Sequence, residues 1–279
     1  MIGPSGERPE RVERPERPKV MGILNVTPDS FFDGGRFVRT DAAIEHGHQL
    51  FDQGADVVDV GGESTRPGAE PVPEDEELRR VVPVVEALAA RGPVSIDTTK
   101  PAVARAAAGA GATLINDVSG TLWPVAAELG TGWVAMHMRG TPRDMQHDPR
   151  YDDVAAEVQR HVMELAAAAS AAGVSEVWVD PGIGFGKTPD HNLTLLRRLG
   201  DLVATAAEAG YGVLVGTSRK SFLGRYGAAS GAPLPVEDRL EASLATAAWA
   251  MCSGAKMVRV HDVAPTCATA ALVAGSVTP

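Results

Sequence analysis

Eight short β-branched runs alternate with longer alanine-rich stretches, and this alternation limits the folds open to the chain more than any other feature. The runs are VMGILNV (20–26), DVVDVGG (56–62), VSIDTT (94–99), TLINDVSG (113–120), GWVAMHM (132–138), VWVDPGIG (177–184), GVLVGTS (212–218) and MVRVHDV (257–263). Between them lie helical patterns such as DAAIEHGHQLFDQG (41–54), PAVARAAAGAG (101–111) and LEASLATAAWAMCSG (240–254). Strands buried on both faces read as continuous apolar runs, and strand–helix alternation implies a parallel sheet with right-handed crossovers. Eight such units predict a single (β/α)8 TIM barrel, an α/β fold that typically needs about 250 residues. The chain has 279.

Nearly every run ends in a polar residue that a buried strand would not choose for packing. These are Asn25, Asp59, Asp97, Asn116 with Asp117, His137, Asp180, Ser218 with Lys220, and Arg259 with His261. In a TIM barrel all the C-terminal strand ends meet at one face, where the active site forms. The expectation is therefore a mouth holding acceptors (Asp97, Asn116, Asp180) beside donors (Arg66, Lys220, Arg259, His261). Carboxylates there suit the N–H-rich edge of a 2-amino-4-oxo heterocycle, which they can bind through paired charge-assisted hydrogen bonds. The cations suit a phosphate or diphosphate.

The stretch DPGIGFGKT (180–188) looks at first like a phosphate loop. That motif needs Gly, four residues, then Gly-Lys-Ser/Thr, and position 181 is Pro. The stretch reads instead as the end of the sixth strand. Asp180 points into the mouth, the glycines let a flat ligand approach the backbone, and Lys187 starts the next helix and faces solvent. His137 is expected to play a structural part rather than act as a general base.

A net charge of −10 argues against a general nucleic-acid surface or attraction to anionic lipid. No apolar run reaches the roughly 18 residues of a membrane span, and the N-terminus lacks the apolar segment of a signal peptide. Cys252 and Cys267 lack metal-ligand spacing and are expected to be buried free thiols, which suits a reducing cytoplasm. No cluster has transition-metal spacing, but Mg2+ held by one oxygen ligand and phosphate oxygens is compatible with this inventory. Residues 1–18 repeat Glu-Arg-Pro with little apolar content and are expected to form a disordered tail before a barrel spanning 19–279.

The motifs carry the reading further. MGILNVTPDSFFDGG (21–35), GGESTRPGA (61–69), SIDTTK (95–100), INDVSG (115–120), MHMRGTP (136–142), DPGIGFGKT (180–188), GTSRKSFLG (216–224) and VRVHDV (258–263) together resemble the bacterial dihydropteroate synthase family, in its order and over 20–274. Phe32 departs from the family, which often has Ser there; the change bears on loop packing and inhibitor fit rather than chemistry.

The resemblance implies a cytoplasmic transferase of folate biosynthesis and a sulfonamide target. Its small-molecule substrates would be 6-hydroxymethyl-7,8-dihydropterin diphosphate and 4-aminobenzoate, its products 7,8-dihydropteroate and diphosphate, and it would be a homodimer. Carried onto matching residues, it implies that Asp97, Asn116 and Asp180 hold the pterin edge, with Lys220 on the other side. Asn25 would bind Mg2+; Arg66, Arg259 and His261 would contact the diphosphate. Thr65, Pro67, Ser218 and Phe31 would shape the 4-aminobenzoate pocket, and Asp33 and Arg66 would lie in the two loops that close over the site. The rival readings are a methyltetrahydrofolate-dependent methyltransferase, a pterin-binding paralogue without turnover, and a nucleotide hydrolase built on 180–188.

Overall fold

Eight strands that are apolar on both faces need cover on both sides, and closing the sheet on itself provides it. In the computed structural model, which describes residues 16–27, 36–64, 68–226 and 232–275, eight strands form one closed parallel barrel in sequence order. They are β1 (Lys19–Asn25), β2 (Val57–Gly61), β3 (Val94–Asp97), β4 (Leu114–Asp117), β5 (Gly132–Met136), β6 (Val177–Asp180), β7 (Gly212–Val215) and β8 (Met257–Val260). Met21 pairs with Val57 and Asn25 with Gly61, and Lys19 opposite Met257 closes the ring.

The outer layer is α1 (Arg36–Asp52), α2 (Glu74–Ala89), α3 (Pro101–Gly109), α4 (Trp123–Leu129), α5 (Val154–Ala171), α6 (Pro189–Arg197), α7 (Leu199–Glu208), α8 (Ser221–Tyr226), α9 (Leu240–Cys252) and α10 (Val263–Val273). The predicted (β/α)8 barrel is thus observed, with the β6–β7 and β7–β8 crossovers each carrying two helices.

Side chains on a strand alternate between faces with a period of two. One parity packs outward: Val58, Val60, Ile96, Ile115, Trp133 and Val179 join the large core shared with the helices. The other parity fills the barrel. Met21, Val57, Leu114, Val134, Trp178, Leu214 and Met257 form a separate buried cluster, one residue from each strand except β3. Two residues further along those strands, on the same face, stand Ile23, Asp59, Asn116, Met136, Asp180, Gly216 and Arg259. The apolar plug therefore carries a polar layer directly above it, at the C-terminal end of the barrel.

Residues 1–15 of the expected tail lie outside the described residues. Its last part is placed: Pro18 is buried, and Arg17 forms a 2.5 Å ion pair with Asp56, whose other oxygen accepts the Val20 N–H at 2.7 Å. The cysteines correct an expectation. Cys252 is exposed at the end of α9, and Cys267 is half-buried on α10, its thiol 3.2 Å from the Gly54 carbonyl oxygen. Alanine-rich context marked both as helical, but which side of a helix faces outward is settled by the neighbours it packs against.

Candidate active site

Arg259 organises the polar layer. Its Nε donates to Asp59 Oδ2 at 2.6 Å, and its Nη2 donates to Asp97 Oδ2 at 2.7 Å. Asn116 Nδ2 donates to the same Asp59 oxygen at 2.9 Å. The guanidinium thereby joins three strands, and Asp59 links a fourth, β4, to them. Asp59 is fully buried, and Asp97 and Asn116 nearly so. The second oxygens, Asp59 Oδ1 and Asp97 Oδ1, are buried with no hydrogen-bond partner among the described residues. An unpaired buried carboxylate oxygen is costly, so the mouth is built to receive N–H donors. Burial pushes Asp97 up to about 7; Arg259 opposes this, and the nearby Asp59, Glu77 and Asp117 add to it. For Arg259 burial works against the charge, but Asp59 and Asp97 outweigh it and its pKa is raised.

Asp180 and Lys220 face the same space. Asp180 Oδ1 accepts the Gly182 N–H at 2.7 Å; its Oδ2 carries no hydrogen bond among the described residues. Burial raises the Asp180 pKa, with Lys220 pulling it back. Lys220 Nζ donates to the Ile183 carbonyl oxygen and sits 4.5 Å from the centre of the Phe185 ring. Burial lowers Lys220 to about 8, against the attraction of Asp180. Its placement depends on Arg219, which adopts φ +58°, a left-handed conformation strained for a residue with a side chain. That turn is pinned from three sides. Arg219 N–H donates to Ser243 Oγ at 2.9 Å, its guanidinium pairs with Asp262 at 2.5 Å, and Arg239 donates to its carbonyl oxygen at 3.0 Å. Ser218 Oγ lies 3.0 Å from His261 Nδ1 and accepts the His261 backbone N–H at 3.1 Å, which ties the β7 end to the β8 end.

The glycines of 180–188 have a specific geometric reason. Gly182, Gly184 and Gly186 all have positive φ, +63°, +86° and +62°. A Cβ would lie 1.9 Å from the His137 carbonyl oxygen at Gly182 and 2.3 Å from the Arg139 carbonyl oxygen at Gly186. The loop is pressed against the backbone leaving β5. Gly182→Ala is expected to lower the melting temperature and abolish most activity, because the clash is with backbone that cannot step aside. A left-handed alanine alone costs roughly 1–2 kcal/mol. A melting curve within a degree or so of the native one would show that the loop can relax.

Three expectations are corrected here. Lys187 does not face solvent: it is 2% exposed, and its Nζ sits inside its own loop, 2.9 Å from Gly182 O and from His137 Nδ1. The helix start is made instead by Thr188, whose hydroxyl caps the His191 N–H at 3.2 Å, followed by Pro189. Asp117 and His137 end apolar runs but do not join the mouth. Asp117 accepts the Leu122 N–H at 2.7 Å and the Trp133 indole N–H at 3.3 Å, and His137 packs edge-on against His161 of α5. Both lie one residue beyond an inward-facing position, and one residue reverses the face.

The described residues place Asn25, Asp97, Asn116, Asp180, Ser218, Lys220, Arg259 and His261 at the C-terminal end of the barrel. Phe31, Asp33, Thr65, Arg66 and Pro67 lie outside the described residues. Asp59 was absent from the expected ligand contacts. Its signal was available in the alternation: it stands two residues after Val57, as Arg259 does after Met257.

Comparison with known proteins decides the family. The sequence pattern of the family described as "Pterin binding enzyme" matches residues 21–261. The dihydropteroate synthase of Mycobacterium leprae is 48% identical over 255 residues, covering 88% of each chain. The chain belongs to the dihydropteroate synthase family. It is a transferase of folate biosynthesis with a pterin-binding barrel. Two solved structures agree in fold. The Xanthomonas albilineans dihydropteroate synthase with 4-aminobenzoic acid superposes with a TM-score of 0.84 at 45% identity, covering 95% of both chains. The Yersinia pestis dihydropteroate synthase in a sulfonamide drug complex also has a TM-score of 0.84, at 44% identity, covering 93% of this chain and 94% of that one.

Proposed function

We propose that the polar layer described above holds 6-hydroxymethyl-7,8-dihydropterin diphosphate and joins it to 4-aminobenzoate, releasing 7,8-dihydropteroate and diphosphate. The observation that carries this reading is the pair of buried carboxylate oxygens on Asp59 and Asp97 that have no hydrogen-bond partner among the described residues, at the same end of the barrel as Asp180. Acceptors left unsatisfied at one end of a barrel match the N–H-rich pterin edge. Asn116, with its Nδ2 committed to Asp59, can offer its carbonyl oxygen. Arg259 has five N–H donors and commits two of them to carboxylates, which leaves others for diphosphate oxygens. Thr65, Pro67, Phe31 and Ser218 are assigned to the 4-aminobenzoate side, and Asp33 and Arg66 to the loops over it, from the motifs alone.

In the proposed reaction the bond between the pterin methylene carbon and the diphosphate oxygen breaks first. Its electron pair leaves with diphosphate. The electron-rich dihydropterin delocalises the resulting cation, which the carboxylates favour electrostatically. The neutral amine of 4-aminobenzoate then attacks the methylene carbon and loses a proton. No strong nucleophile or base is needed.

Asn25 fits a role toward Mg2+. It shares the inward parity of Met21 and Ile23, is half-buried, and its amide makes no hydrogen bond among the described residues. One neutral oxygen suits a cation that keeps several waters and takes its other ligands from phosphate. When bound, Mg2+ would supply positive charge beside the leaving diphosphate. Homodimerisation is proposed through the outer helices, where Trp249 of α9 is 40% and Leu272 of α10 is 67% exposed. A cytoplasmic location is proposed as well; no helix among the described residues is long and apolar enough to cross a membrane.

The test is direct. With pterin diphosphate, Mg2+ and 4-aminobenzoate the enzyme is expected to form dihydropteroate and diphosphate, and omission of Mg2+ should suppress both. The pH profile of kcat/KM should be a narrow bell. It rises as Asp97 ionises near about 7 and falls as Lys220 loses its proton near about 8. Lys220→Arg should remove the alkaline limb. Pterin binding without product, or a profile flat from about pH 6 to about pH 9, roughly one unit beyond each of those values, would overturn the reading.

A further inference from the structure

Every carbonyl oxygen of the loop from Gly182 to Gly186 is engaged, and two lysines take opposite sides of it. Lys187 Nζ lies 2.9 Å from Gly182 O, 3.0 Å from Phe185 O and 3.3 Å from His137 O, with His137 Nδ1 at 2.9 Å. Lys220 Nζ takes Ile183 O. Gln146 Nε2 donates to Gly184 O at 2.6 Å, and the Tyr151 hydroxyl donates to Gly186 O at 2.8 Å. Gly184 N–H donates to Asn192 Oδ1 at 2.7 Å. The loop is folded around the Lys187 side chain, which is buried against the end of β5 rather than offered to a ligand.

This packing determines what faces the mouth. With the carbonyls of Gly182 and Phe185 turned inward to Lys187, the carbonyl between them at Ile183 turns the other way and meets Lys220. The Phe185 ring lies beside the same ammonium, 4.5 Å from Nζ to the ring centre. A Cβ at Gly184 would come within 2.9 Å of Lys220 Cδ, so the loop and the Lys220 stem are in close contact. Burial pushes the Lys187 pKa well below the usual lysine value, with the nearby Asp180 pulling the other way and Lys220 and Arg139 adding to the fall.

We propose that Lys187 is a positioning residue for the pterin substrate: by tying the Gly182 and Phe185 carbonyls to the end of β5, it presents the Ile183 carbonyl and the Phe185 ring that hold Lys220 in place. This rests on the reading that Lys220 serves the pterin substrate. Lys187 touches no reacting atom; it acts through Lys220.

A double-mutant cycle tests it. Lys187→Met keeps the length of the side chain and removes the amino group that gathers the carbonyl oxygens of the loop. In the native background it is expected to lower kcat/KM for the pterin diphosphate about tenfold or more, through lost positioning. In the Lys220→Ala background the same change should cost less than about threefold, because residues that act through one another are not additive. Equal losses in the two backgrounds, or no loss in the native one, would overturn the proposal; the first would make Lys187 a support of the barrel with no link to Lys220. Near-native activity of Lys220→Ala alone would instead sink the reading of the site, and the two failures are distinguishable. Circular dichroism and melting curves accompany each variant. If Lys187→Met does not fold, Lys187→Gln, which keeps an N–H for one carbonyl, carries the same cycle. Failure of both to fold also overturns the proposal, since Lys187 would then be a requirement of folding and not of the site.

Discussion

Lys220→Ala and Asp180→Asn are each expected to lower kcat/KM for the pterin diphosphate about 10²–10³-fold, or roughly 3–4 kcal/mol of transition-state stabilisation, with the barrel intact. The two groups fail for different reasons. Lys220 is a half-buried cation held by one carbonyl oxygen and an aromatic ring. Its removal takes from Asp180 the largest of the interactions that offset its burial. Asparagine at 180 can still accept the Gly182 N–H. Its amide nitrogen then faces the pterin N–H donors, and donor meets donor where Asp180 Oδ2 offered an acceptor. Circular dichroism establishes the fold, and steady-state kinetics with both substrates measures the loss. Near-native kcat/KM in both variants would remove them from the site.

Arg259→Met is expected to damage stability as well as activity. The guanidinium satisfies Asp59 Oδ2 and Asp97 Oδ2 together, on strands far apart in the sequence. Without it the two carboxylates lose their shared cation, and Asn116, bonded to Asp59, is their remaining hydrogen-bond partner among the described residues. Breaking a buried ion pair costs about 3–5 kcal/mol, and for a chain of this size that lowers the melting temperature by roughly 10 °C. The deficit should depend on pH. In the native protein Asp97 already stands at about 7, with Arg259 holding it down; losing Arg259 raises it further. A carboxyl raised above its unfolded value stabilises fully below the unfolded pKa, about 4. That contribution is lost as pH climbs through the folded value. The variant should therefore be closest to the native enzyme near the acidic end of the range and furthest above neutrality. A deficit independent of pH would mean that the guanidinium acts only through packing.

Much of this was legible in the chain before folding. The eight strands could be counted because a β-branched run between helical stretches has few other places to go. The polar residues at their ends could be assigned to one mouth because a parallel barrel sends every C-terminal strand end the same way. Asn25, Asp97, Asn116, Asp180, Lys220 and Arg259 follow from that rule and from the motifs around them.

Other features were settled only by tertiary contacts. Asp59 ends a run like the others, yet its part is to hold Arg259, its partner 200 positions away in the sequence. Asp117 and His137 also end runs, but each sits one residue off the inward parity, so the pleat sends them to the outer layer. Lys187 stands where sequence places the start of a helix, and a lysine there normally reaches solvent. The glycines before it fold the loop back onto the β5 backbone and close its carbonyls around Nζ. Local sequence determined strand number, strand direction and the chemistry at the strand ends, because these depend on periodicity over a few residues. Which of those groups bind a ligand and which bind each other depended on barrel closure, because only closure brings Asp59 of β2 and Asp97 of β3 within reach of the guanidinium on β8.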